Sequence, residues 1–185
     1  MYLIIFFTIC VFAIIIVFAF PQFSPVPYFP SNGKDIPLIL QALHIRNNQT
    51  IIDLGAGDGI VIFKAANKAL HDKLNTKFVA VEINPILLFI LYVRRLFHPN
   101  RTNICILNRD MFSCRYTEFM NFKTFDFTTF YIYISPWLIE KAVLNISKQI
   151  GRFDLVSYFY QVKYLPKYKE ELVEGVHKIF TYRLH

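Results

Sequence analysis

A carboxylate followed at once by a glycine loop is the first chemistry in this chain: Asp53-Leu54-Gly55-Ala56-Gly57-Asp58-Gly59. The run sits where an apolar strand gives way to a helical pattern. Glycines at such a turn permit positive φ and let a ligand approach the backbone closely. The helix that follows presents N–H groups to an anion. Asp53, just ahead of the glycines, is placed to accept from an ammonium group. A second carboxylate, Glu82, closes the next strand, where an acidic side chain accepts from the hydroxyls of a ribose. A third, Asp110 in Asn108-Arg109-Asp110-Met111, follows the third strand. It is placed to accept from an adenine amino group, with Met111 or Phe112 against the ring. Each acid alone is as easily a solvated surface group. All three occur in order, each at a strand C-terminus, the edge at which open α/β sheets bind ligands.

The elements that must position these residues are legible as alternating strand and helix patterns, which predict βαβ units and a mostly parallel sheet. The pattern predicts a helix over Lys34–Leu43 and a first strand over Thr50–Leu54. A helix over Ile60–Leu70 and a second strand over Lys77–Val81, ending at Glu82, come next. Asn84-Pro85 reads as an N-cap followed by proline at the first helical position, opening a helix that runs to Phe97. That helix is apolar nearly all round, and burial against the sheet is the favoured reading over contact with a bilayer. A third strand covers Asn103–Leu107 and a fourth Phe127–Ile134, the latter rich in β-branched and aromatic residues. A helix starts near Pro136, a fifth strand covers Phe153–Val162, and a last strand, Lys178–Arg183, returns antiparallel. The predicted class is α/β: a Rossmann-like sheet with helices on both faces.

Met1 to Phe20 contains no charged side chain, and the first in the chain is Lys34. Twenty helical residues rise about 30 Å, the thickness of a bilayer core. A cleaved signal peptide would have a basic leading region and a small-residue cleavage site; neither is present. Residues 1–20 are therefore expected to form a retained transmembrane helix, residues 21–30 a stiff linker with Pro21, Pro25, Pro27 and Pro30, and residues 31–185 one domain. Positive charge begins on the C-terminal side, which places the domain in the cytoplasm, or in the matrix if the membrane is mitochondrial. Lacking an Arg-rich presequence, the chain fits a prokaryotic plasma membrane better. The net charge of +7 suits an anionic membrane surface. No Arg-rich helix or basic–aromatic repeat argues for nucleic acid. The three cysteines form no zinc-type spacing, and no metal is expected. They read as buried thiols of a reduced compartment.

Asp-Leu-Gly-Ala-Gly-Asp-Gly, then Val81-Glu82-Ile83-Asn84-Pro85, then Asn108-Arg109-Asp110 resembles class I S-adenosylmethionine-dependent methyltransferases. With Tyr28-Phe29-Pro30-Ser31 ahead of the first domain helix, the chain looks like the small membrane-anchored protein-lysine methyltransferases of mitochondrial inner membranes and their archaeal relatives. The resemblance covers Tyr28 to Arg183. It implies that Asp53, Gly55, Gly57, Glu82 and Asp110 bind S-adenosylmethionine, with Ala56, Ile83 and Met111 beside them. Tyr28 and Ser31 would close the site over the methionine end. Two departures stand out. Ile60 occupies the position where these relatives usually carry Arg. Ile134-Ser135-Pro136-Trp137 lacks the acidic or amide first residue of the quartet in enzymes that methylate base or glutamine amino groups.

Tyr131, Tyr133, Ser135 and Trp137, at or beyond the end of the fourth strand, are placed to line an acceptor pocket, with Tyr158 a further candidate. Ordinary aromatic core is the competing reading for all of them. The expected function is methyl transfer to a membrane-protein lysine. A methyltransferase of a small molecule or lipid, and a non-catalytic module that binds the donor, remain as alternatives.

Overall fold

The structure is a computed structural model and describes residues 2–19, 28–119, 127–163, 165 and 168–184. Helix α1 (Tyr2–Ala19) is 18 residues long and carries no charge. The hydroxyl of Thr8, inside this apolar run, donates to the Ile4 carbonyl at 2.9 Å and is satisfied within the helix. Among the described residues no helix is long and apolar enough to cross a membrane. The expected transmembrane helix over residues 1–20 is thus not found as a full span. Most of the expected linker lies outside the described residues.

The domain alternates helices and strands: α2 (Ile36–Ala42), β1 (Gln49–Leu54), α3 (Ile60–His71), β2 (Thr76–Glu82), α4 (Pro85–Leu96), β3 (Ile104–Asn108), α5 (Tyr116–Phe119), β4 (Phe127–Ile132), α6 (Pro136–Ser147), β5 (Asp154–Tyr158), β6 (Tyr168–Glu174) and β7 (Lys178–Leu184). The strands form one seven-stranded sheet in the order β3-β2-β1-β4-β5-β7-β6. β1 to β5 run parallel. β7 is antiparallel to both β5 and β6. The order reverses between β1 and β4, so a crevice opens at the C-terminal ends of those two strands.

Alternation along each strand sends side chains to two cores. Ile51, Phe78, Ala80 and Tyr131 pack with α2, α3 and the inner face of α4. Ile52, Leu54, Phe130 and Leu155 pack with α6 and Tyr116. Central strands buried on both faces must be apolar throughout, so Asp53, buried in the middle of this sheet, departs from its surroundings.

Helix α4 starts where the Asn84 side chain accepts from the N–H groups of Ile86 and Leu87, at 3.0 and 3.3 Å. Leu87, Leu88 and Leu91 are buried, but Phe89, Tyr92, Val93, Leu96 and Phe97 are exposed, Phe97 by 81%. The expected burial holds for one face only. The sheet supplies partners to the inner face, while the outer residues, spaced i, i+3, i+4, i+7, i+8, form an apolar stripe. Cys105 is exposed rather than buried, because it lies on β3, the last strand at that edge of the sheet.

Two further expectations fail at the other edge. The fifth strand ends at Tyr158, because Phe159 adopts φ 74°, outside the β region. Its N–H bonds the Lys178 carbonyl at 2.7 Å. β6 was not expected at all. Tyr168-Lys169-Glu170-Glu171 carries no apolar alternation, as suits a charged strand at an open sheet edge.

Candidate functional site

The crevice at the strand ends is a cleft of about 690 Å³, and every residue assigned above to binding lines it. Gly55 and Gly57 have φ of 73° and 59°, conformations that side chains with a Cβ rarely adopt. Space is limiting as well. A Cβ on Gly57 would lie 2.6 Å from the Tyr28 ring, and one on Gly55 2.8 Å from Met111 Cε. The loop is therefore closed over by Tyr28 on one side and Met111 on the other.

The loop amides point inward. Gly55 and Ala56 N–H both bond the Val81 carbonyl, at 2.9 and 3.0 Å, and Gly57 N–H donates to Glu82 Oε2 at 2.8 Å. These bonds lock β1 to β2.

Glu82 Oε1 also accepts from Ile83 and Asn84 N–H, at 2.8 and 2.9 Å. Three of the roughly four lone-pair positions of this carboxylate are filled. Asp53 is the opposite case. It is 3% exposed, yet among the described residues no donor bonds its side chain. Burial, with Glu82 and Asp58 nearby, pushes its carboxyl well above the ordinary carboxylate range. Desolvation disfavours its ionised form, and it faces the cleft.

Asp58 anchors a cluster beside the glycines. Its Oδ1 accepts from Ile60 N–H at 3.1 Å. Arg94 Nη1, from α4, lies 2.9 Å from Asp58 Oδ2 and 2.6 Å from its carbonyl. Tyr28 donates to the same carboxylate, and burial with the Asp58 charge pushes its phenol up to about 12. Arg94 thus brings a guanidinium to this loop from another helix. Arg94 was not singled out in the sequence, where it reads as a basic residue in a helix's last turn.

Asp110 closes its own turn, accepting from Phe112 N–H at 3.0 Å and the Ser113 hydroxyl at 3.2 Å. The Met111 carbonyl accepts from Tyr116 and Asn145, at 2.9 and 3.0 Å. These bonds fix the turn that holds Met111 against Gly55.

Tyr131 is the β4 register partner of Asp53. Its hydroxyl lies 2.8 Å from Ser31 Oγ, and burial raises its pKa well above the ordinary phenol value. Tyr133 lines the cleft and packs edge-on against Tyr158, with centroids 4.8 Å apart. Behind them, Tyr158 donates to Asp35 Oδ2 at 2.7 Å and lies 2.9 Å from His177 Nδ1. Val176 and His177 N–H complete the set on Asp35, at 2.7 and 2.9 Å. Burial alone would raise the Asp35 pKa, but these bonds hold it below the ordinary value. Asp35 carried no local signal, because its partners Tyr158, Val176 and His177 lie over a hundred residues away in the chain.

Ser135 and Trp137 do not line the cleft. α6 begins at Pro136 and turns Trp137 outward, 77% exposed. Of the four residues assigned to an acceptor pocket, the structure brings only Tyr131 and Tyr133 to the cleft. Among the described residues no group of acids, histidines and cysteines could hold a metal ion.

Comparison with solved structures shows which fold this is. The chain is similar to an RNA methyltransferase from Salinibacter ruber in complex with S-adenosyl-L-homocysteine (TM-score 0.63, 16% identity, 84% of this chain and 93% of that one). It is also similar to precorrin-6y C5,15-methyltransferase from Geobacter metallireducens (TM-score 0.60, 15% identity, 87% and 92%). The fold is that of the S-adenosylmethionine-dependent methyltransferases. A S-adenosylmethionine-dependent O-methyltransferase from Thermotoga maritima shares this methyltransferase fold (TM-score 0.61, 14% identity, 85% and 68%). No family model matches the sequence, and no curated protein matches it.

Proposed function

We propose that the chain is a membrane-associated S-adenosylmethionine-dependent methyltransferase whose acceptor is the amino group of a protein lysine. The observation that carries the donor assignment is Asp53, a buried carboxyl with no donor, facing a cleft within a methyltransferase fold. S-adenosylmethionine fits this cleft. Its ammonium group suits Asp53, Glu82 Oε2 has room for one ribose hydroxyl, and Met111 offers an apolar edge to the adenine. Bound there, the donor supplies an activated methyl on a cationic sulfonium.

The residues of this chain then have to exclude water and orient an acceptor. Tyr28 and Met111 cover the loop, and Tyr131 and Tyr133 form an aromatic wall on the side of β4, with Tyr158 packed behind Tyr133. A lysine must arrive neutral, which at pH 7 takes ~4 to 5 kcal/mol for an ordinary amine. An aromatic, poorly hydrated wall lowers that cost by disfavouring the ammonium form. The tyrosine hydroxyls are held protonated by burial, so they serve as hydrogen-bond partners of the amine and not as anions.

Two features support a membrane acceptor: the uncharged run of residues 1–20 and the exposed apolar stripe on α4. Held at a bilayer, with the domain on the cytoplasmic side, the enzyme meets membrane proteins at raised effective concentration. The test is transfer of labelled methyl from S-adenosylmethionine to host membranes, followed by separation of lipid extract from protein hydrolysate. Label in methyllysine supports the reading. Label in the lipid fraction replaces it with a lipid methyltransferase.

A further inference from the structure

A second pocket lies at the opposite edge of the sheet, where β4 and β5 begin and β7 ends. It is an open concavity lined by Arg46, Arg152, Arg183, Asp154, Phe127 and Glu171, among others. No ligand reaching it touches the methyl-donor cleft, because the two sit at opposite ends of the parallel strands.

Among the described residues, the charges lining this pocket do not balance. Arg46 Nη2 and Arg183 Nη1 each lie 3.4 Å from one oxygen, Asp154 Oδ2. Two guanidiniums thus share a single carboxylate oxygen, both at long distance for a charge-assisted bond. Glu171 is 3.4 Å from Lys169. Arg152 adds a third guanidinium with no hydrogen bond or ion pair among the described residues. Arg46 lies flat over the Phe127 ring, 3.7 Å from its centroid. That stack leaves its Nε–H buried with no partner. Burial, and repulsion from Arg183 and Arg152, lower the Arg46 pKa. Guanidiniums that outnumber their counter-charge among the described residues favour a bound anion.

We propose that this pocket binds the phosphate group of an organic phosphate ester. Guanidinium forks match tetrahedral oxyanions in geometry, with several N–H groups converging on one group. The partly exposed Phe127 ring gives an apolar wall for the organic part. A phosphate at this point would bridge the terminal nitrogens of Arg46 and Arg152 and leave Asp154 to Arg183.

The experiment is calorimetric titration of the full chain in detergent at fixed ionic strength, with glycerol 3-phosphate and inorganic phosphate as probes. Saturable binding of glycerol 3-phosphate with Kd below ~1 mM, weakened about tenfold or more in Arg152→Met, supports the site. Arg152 is exposed and unpaired, so this variant should keep its melting temperature; Arg46→Met, which also loses the Phe127 stack, serves as the second. Equal affinity for inorganic phosphate would make free phosphate the ligand and keep the site. Unsaturable heats, or Arg152→Met and Arg46→Met binding like the wild type, would overturn it.

Discussion

Glu82 accepts three backbone N–H bonds, while Asp53, whose ionisation its charge opposes, accepts none from any described residue. Two acids at the ends of neighbouring strands are thereby separated in role. Glu82 is fixed and satisfied before any ligand arrives. Asp53 waits for a cation.

Replacing Asp53 by Asn removes a buried, unsatisfied acid at nearly constant shape. Without donor, Asp53→Asn should melt at least ~2 °C higher than the wild type near neutral pH, since about 1 kcal/mol moves a chain of this size 2–4 °C. Differential scanning calorimetry reads this directly. A lower melting temperature would mean that Asp53 stabilises the empty cleft.

Binding an ammonium group at Asp53 favours its ionised form, so donor binding should release a proton. The raised Asp53 pKa sets the sign. Affinity should increase as pH rises toward that value and level off above it. In the empty protein the Asp53 contribution to stability runs the other way: it is fully present below the ordinary carboxylate range and is lost as pH rises through the raised value. Titrations in buffers of different ionisation heat would count the released proton, and a pH-independent affinity would count against Asp53 as the cation's partner.

Gly57→Ala places a Cβ against the Tyr28 ring at a residue with φ 59°. A loss of about 1–3 kcal/mol is expected from strain, with donor affinity falling in parallel. Adding Tyr28→Ala should recover the part due to the clash and leave the part due to the backbone. A double-mutant cycle in chemical denaturation separates the two.

Tyr131→Phe with Tyr133→Phe should reduce turnover about tenfold or more while donor affinity changes little, because neither hydroxyl is assigned to the donor. Unchanged turnover would return both tyrosines to ordinary core.

The donor side of the site was legible because its residues are local: a carboxylate, glycines and a strand end fall within a few positions of one another. The acceptor side was not. Tyr158, Asp35 and His177 meet only when β5, the β6–β7 turn and the start of α2 come together, and no spacing encodes that. Arg94 was not legible either, since its guanidinium reaches Asp58 from α4. Ser135 and Trp137 followed the correct strand but were carried away by the helix beginning at Pro136. β6 was invisible because an edge strand is stabilised by pairing and needs no apolar alternation. Phe159 ended its strand through a positive φ that its residue type does not advertise.

The most direct measurement is calorimetric titration of S-adenosylmethionine into the purified full chain, wild type against Asp53→Asn. Saturable one-to-one binding by the wild type, weakened about a hundredfold or more in Asp53→Asn as the charge-assisted bonds of the ammonium are lost, is the expected result. A folded wild type that binds no donor, or an Asp53→Asn variant with undiminished affinity, would contradict it.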